Sequence, residues 1–131
     1  MQTNLKLNLL TYFNPVHSRT PENQAHAMIS LSDKKGANDN HYFYIKHLLA
    51  NHGLKWKYIR FAHNSGNLFV TEGNEENGFF IASNNAVQNK QLLIEIFNFF
   101  RIPVPIHKGQ KMKVNFTFSK VEEGLFILKK I

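Results

Sequence analysis

Residues 55–71 read KWKYIRFAHNSGNLFVT, and this stretch decides the fold class. Trp56, Tyr58 and Arg60 alternate with Lys57, Ile59 and Phe61, a period of two that an extended strand produces and a helix does not. Asn64-Ser65-Gly66-Asn67 is a tight-turn signal, and apolar residues resume at Leu68. Strands over 55–63 and 67–71 are therefore predicted to form a hairpin.

Working outward, a second turn over Glu72 to Asn77 leads to Gly78-Phe79-Phe80-Ile81-Ala82, which completes a three-stranded meander. Ser83, Asn84 and Asn85 are candidate caps for a helix whose Leu93, Ile96, Phe97 and Phe100 have the i, i+3, i+4, i+7 spacing of a buried stripe. Pro103 and Pro105 end it. The last two strands are read at Lys111 to Ser119, with Met112, Val114, Phe116 and Phe118 on one face, and at Leu125 to Lys130. Val121-Glu122-Glu123-Gly124 joins them.

Upstream of the hairpin, Asn38, Asp39 and Asn40 are candidate N-caps, and Tyr44, Ile45, Leu48 and Leu49 share a helical face that Gly53 closes. A short strand from His26 to Ser32 precedes that helix. Leu5, Leu7 and Leu9 suggest a first strand ending near Asn14-Pro15, and residues 14 to 25 read as a loop. The order ββαβββαββ describes one α+β domain over residues 1–131: a mostly antiparallel sheet of about six to seven strands with two helices laid on it. A winged helix would need a helix-turn-helix before its hairpin, and only one helix precedes this one.

The 131-residue length suits one core, and 43% hydrophobic with 19% charged residues is ordinary for a folded chain. With no cysteine the chain has no disulfide, no thiol nucleophile and no thiolate metal site. No apolar run reaches the length of a membrane span, and residues 1–13 interleave Asn4, Lys6, Asn8 and Thr11 among the leucines, unlike a signal peptide. A cytoplasmic protein without membrane association is expected.

Catalytic signatures are lacking. The seven histidines include no pair at i, i+4 or i, i+2, so no single helix or strand offers a metal site. His63-Asn64-Ser65 has no second copy of the kind a two-histidine phosphoesterase requires. Most acidic side chains fall in turns, loops or caps, and the glycines occur singly, so paired-carboxylate and phosphate-loop chemistries are not supported. The chain reads as a non-catalytic protein with no cofactor and no metal.

Charge is the informative feature. The formal net charge is +7, carried by thirteen lysines and three arginines against nine acidic residues. Residues 1–70 and 101–131 are basic and residues 71–100 acidic. Lys111 and Lys113 share the face of their strand opposite Met112 and Val114, where they suit phosphates. Trp56, Tyr58 and Arg60, with Lys55 and Lys57 beside them, form the other candidate surface, two stacking rings among cations. Lysine is a less directional contact than bidentate arginine, so binding to DNA or RNA would be weakly sequence-specific and strongly salt-dependent. A protein-interaction module is the alternative, either a homodimer through the apolar second helix or an unpaired strand edge, or an adaptor for an acidic protein partner. The plainer reading of Trp56 and Tyr58 is that they pack against a helix, with Ile59 and Phe61 facing another apolar layer.

Overall fold

A computed structural model describes residues 24–34 and 38–131. The strand expected around Leu5, Leu7 and Leu9 lies outside these residues. In chain order the elements are β1 (Gln24–Ser30), β2 (Asn40–Tyr44), α1 (Lys46–Asn51), β3 (Tyr58–Asn64), β4 (Asn67–Glu72), β5 (Phe79–Phe80), β6 (Ala86–Val87), α2 (Lys90–Phe99), β7 (Lys111–Glu122) and β8 (Leu125–Lys130). The eight strands of the described residues belong to one sheet in the order β5-β3-β4-β8-β7-β1-β2-β6, and every neighbouring pair is antiparallel. The α+β class with two helices and an antiparallel sheet is what the sequence predicts. The sheet is larger than the six to seven strands expected.

The sheet curls until its two edges nearly meet. Those edges, β5 and β6, are two residues each and consecutive in the chain, so residues 79–87 form the seam. Ile81 N–H donates to Lys57 C=O on the β3 side, and Ile45 N–H donates to Asn85 C=O on the β2 side, both at 2.9 Å. Ala82 N–H closes the turn between them on Ala86 C=O at 2.9 Å.

Strand parity fills the interior. Ala25, Ala27 and Ile29 from β1, Phe43 from β2, Ile59 from β3, Leu68 and Val70 from β4, Val114, Phe116 and Phe118 from β7 and Phe126 and Leu128 from β8 are all buried. Helix α2 packs on β1 and β2, where the small Ala25 and Ala27 make room for it. It buries Leu92, Leu93, Ile96 and Phe97, while Ile94, Phe99 and Phe100 lie half-buried against the same core. The apolar surplus of this helix is thus spent inside the molecule, and Lys90, Gln91, Glu95 and Asn98 face outward.

Among the boundaries that differ from expectation, those of β2 and α2 do so because a tertiary pairing overrides a local signal. Residues 40–44 form a strand and not the start of a helix: Phe43 turns into the core between the outward Tyr42 and Tyr44, and all five residues pair with β1. Only Lys46–Asn51 remain helical. Ala86 and Val87 pair with Tyr44 and Phe43, so α2 starts later than Ser83–Asn85 would allow, with Asn89 Oδ1 accepting from Leu92 N–H at 2.9 Å. Residues 55–57 precede β3 and are not part of it. The 64–67 turn is as predicted: Ser65 and Gly66 both have positive φ, 53° and 80°, as a two-residue type I′ turn requires.

Candidate nucleic-acid interface

On β1 the buried residues alternate with Gln24, His26, Met28 and Ser30, which therefore point out of the barrel. Register fixes what stands beside them. Tyr44, His26 and Asn115 form one row across β2, β1 and β7; Tyr42, Met28 and Lys113 form the next; Asn40, Ser30 and Lys111 form the third. On the other side of the first row, Thr117 lies between Gln24 and Lys129. The outer face consequently carries a column of two tyrosines on β2 and a column of lysines on β7. With strands spaced 4.7–4.9 Å, the columns run about 10 Å apart.

Between them the rings are in contact. His26 lies 5.4 Å from Tyr42 in an edge-on arrangement and 5.2 Å from Tyr44 at an interplanar angle of 34°. The Tyr42 hydroxyl donates to the Met28 sulfur at 3.9 Å. Burial, assisted by the positive charge of Lys113, lowers the His26 pKa from 6.5 to about 4. His26 is thus a neutral ring at ordinary pH, and the cations of this surface are lysines. Lys111 and Lys113 are exposed and free to move toward a ligand.

Two depressions flank the rows. One, of about 410 Å³, lies at the β2 edge and is lined by His26, Asn40, Tyr42, Tyr44, Asn84, Ala86 and Gln88. The other, of about 440 Å³, opens where β8 ends short of the first residues of β7; Arg101, Lys113, Asn115 and Lys130 contribute to its wall. Arg101 brings a guanidinium to the same depression as Lys113.

The residues singled out from the sequence fall in two places. Lys111 and Lys113 are on this face. Lys55, Trp56, Lys57, Tyr58 and Arg60 are not: β3 is separated from β7 by β4 and β8. Nor do the latter five form one surface. Trp56 is half-buried on the core, its ring 6.0 Å from Phe126, whereas Tyr58 contacts Phe80 at 5.8 Å and Arg60 stands exposed opposite Thr71. Tyr58 and Arg60 alternate with the buried Ile59 as expected, but Trp56 does not share their face, because residues 55–57 lie outside the strand and the parity fails there.

Sequence patterns alone do not single out His26, Tyr42 and Tyr44. Their signal is the alternation Tyr42-Phe43-Tyr44, obscured by the helical spacing of Tyr44, Ile45, Leu48 and Leu49. Among the described residues no group of three His, Asp or Glu side chains lies close enough to hold a metal ion, and no helix is long and apolar enough to cross a membrane. Comparisons of this chain with protein-family models, with curated proteins and with solved structures find no match.

Proposed function

We propose that the protein binds single-stranded nucleic acid, without catalysis, across the outer face of β2, β1 and β7. The observation that carries this reading is the cross-strand register, which sets Tyr44 beside His26 and Tyr42 beside Met28 and Lys113. Aromatic side chains stack on bases of any sequence, and a cationic track alongside holds the backbone. Tyr42, Tyr44 and the neutral His26 supply the rings; Lys111, Lys113, Lys129 and Arg101 supply the charges. Duplex presents phosphates but no free base faces, so the tyrosine column favours a single strand. The scarcity of arginine keeps overall sequence preference weak.

The test is fluorescence anisotropy with labelled single-stranded and duplex oligonucleotides at 50 and 200 mM salt. Single strands bind more tightly than duplex and lose about tenfold or more between those salts, because each released counterion steepens the dependence on salt. No binding at 50 mM refutes the reading.

The protein-interaction reading has one observation in its favour: Phe80, on the short edge strand β5, is 60% exposed. Static light scattering on the same samples tests it, since an apolar association through Phe80 gives a dimer mass that salt does not reduce.

A further inference from the structure

The depression at the β2 edge differs from the rest of this face in chemistry. Its walls are His26, Asn40, Tyr42, Tyr44, Asn84, Ala86 and Gln88, a set with no charged side chain while His26 is neutral. A phosphate or an acidic peptide finds no counter-charge inside it. The aromatic rings line one side, and three carboxamides, Asn40, Asn84 and Gln88, are exposed around it. Among the described residues none of these three side chains has a hydrogen-bond partner. Among the described residues β6 pairs only with Phe43 and Tyr44, and no described strand continues along the outer edge of β2 from Asn40 to Tyr42. The buried Ala86, opposite Tyr44, keeps the floor low where a larger side chain would fill it.

Resting on the single-strand reading above, we propose that this depression is a base-reading pocket, in which an adenine of a bound single strand stacks on the Tyr44 side and is read by the carboxamides of Gln88 and Asn84. A carboxamide offers a donor and an acceptor side by side, the pattern that adenine N6 and N7 complement. Bases of single strands can be splayed out to present that edge. The 410 Å³ volume lies within the range of small-molecule sites, about 300–1,000 Å³. Backbone contact at the lysine column and base contact at the amide pocket then serve different ends: the first gives affinity, the second a local preference.

The experiment compares two labelled thymine-rich single strands of about 12 nucleotides, a length within the usual site sizes, one carrying adenine and the other cytosine at alternate positions. The unmodified protein is expected to bind the adenine strand about tenfold more tightly, the scale of one good bidentate contact. That ratio is expected to be the same at 50 and 200 mM salt, although both affinities fall, because the pocket releases no counterions. The double variant Asn84→Ala with Gln88→Ala is expected to lose the preference while keeping its affinity for the cytosine strand and its melting temperature. In the unmodified protein, the side-chain amide NMR signals of Asn84 and Gln88 are expected to shift with the adenine strand alone. Equal affinity for the two strands overturns the pocket and leaves single-strand binding intact. A preference that survives in the double variant also overturns it. Adenosine monophosphate competing as well as the strand would make the free nucleotide the ligand and overturn strand reading. Failure of both strands to bind removes the pocket together with the single-strand reading.

Discussion

Tyr44 stands directly opposite His26 across the β1–β2 ladder, with their rings 5.2 Å apart. This pair joins the tyrosine column to the middle of the candidate face, so the stacking surface is a preformed cluster and its rings lose little rotamer freedom on binding. Tyr44→Ala is expected to weaken single-strand binding by roughly 1–3 kcal/mol, the usual value of a base–aromatic contact. Tyr44→Phe is expected to bind nearly as well as the unmodified protein. Anisotropy titrations at one fixed salt concentration check both.

The lysine column is tested through the slope of affinity against salt. Lys111→Glu with Lys113→Glu removes two phosphate contacts from adjacent rows and places two like charges against the strand. Binding is expected to be lost at 200 mM salt. The single variant Lys113→Gln is expected to reduce the slope of log K against log salt by about 0.7, one phosphate's share on a single strand.

The chain has one tryptophan, Trp56, and it packs on Phe126 away from β2, β1 and β7. Its intrinsic fluorescence is expected to report unfolding but to change little when an oligonucleotide is added. Strong quenching by the ligand would relocate the interface to residues 55–60.

His26 makes stability depend on acid. Its folded-state pKa of about 4 lies below the unfolded value of 6.5, so between those two pH values the unfolded chain binds the extra proton. Stability is therefore full above about pH 6.5 and falls as the pH drops toward 4. Urea denaturation at pH 7.5 and 4.5 is expected to show a lower midpoint at the acid pH. His26→Phe is expected to lessen the difference, since it removes the titrating group but keeps a ring between the tyrosines.

Core and seam respond differently to substitution. Phe116 is fully buried, its ring stacked on Phe43 at 5.6 Å and against Phe100 at 5.2 Å. Phe116→Ala is expected to cost about 3–5 kcal/mol of stability. Phe80→Glu, at an exposed site on β5, is expected to change stability by about 0.5 kcal/mol or less. Thermal or chemical denaturation of the two variants separates the cases.

The parts of the fold readable from sequence are those written locally. The Ser65-Gly66 turn, the alternation in Met112 to Phe118 and the Leu93-Ile96-Phe97 stripe each carry a periodicity that packing reinforces. Residues 40–44 misled because Asn38, Asp39 and Asn40 are good caps and the following apolar spacing is helical; the pairing partner that makes them a strand is β1, which the local pattern cannot name. Ala86 and Val87 are too few to show any period. The candidate face was only half legible for the same reason. Lys111 and Lys113 were visible as a strand face, but their neighbours His26, Met28, Tyr42 and Tyr44 come from two other strands, and register between distant strands is set by the whole core.

Strand β7 pairs with β1 along one edge, Ala27 meeting Val114, and with β8 along the other. Strand β1 therefore lacks one of its two neighbours until late in synthesis, and the tyrosine and lysine columns cannot stand side by side until Lys111 to Lys130 has been translated. Contacts so far apart along the chain place refolding on the slow side for a domain of this size, milliseconds to seconds. The candidate face is consequently among the last features to form, and a ribosome-bound chain stalled before Lys111 carries Tyr42 and Tyr44 in its sequence but no lysine column beside them.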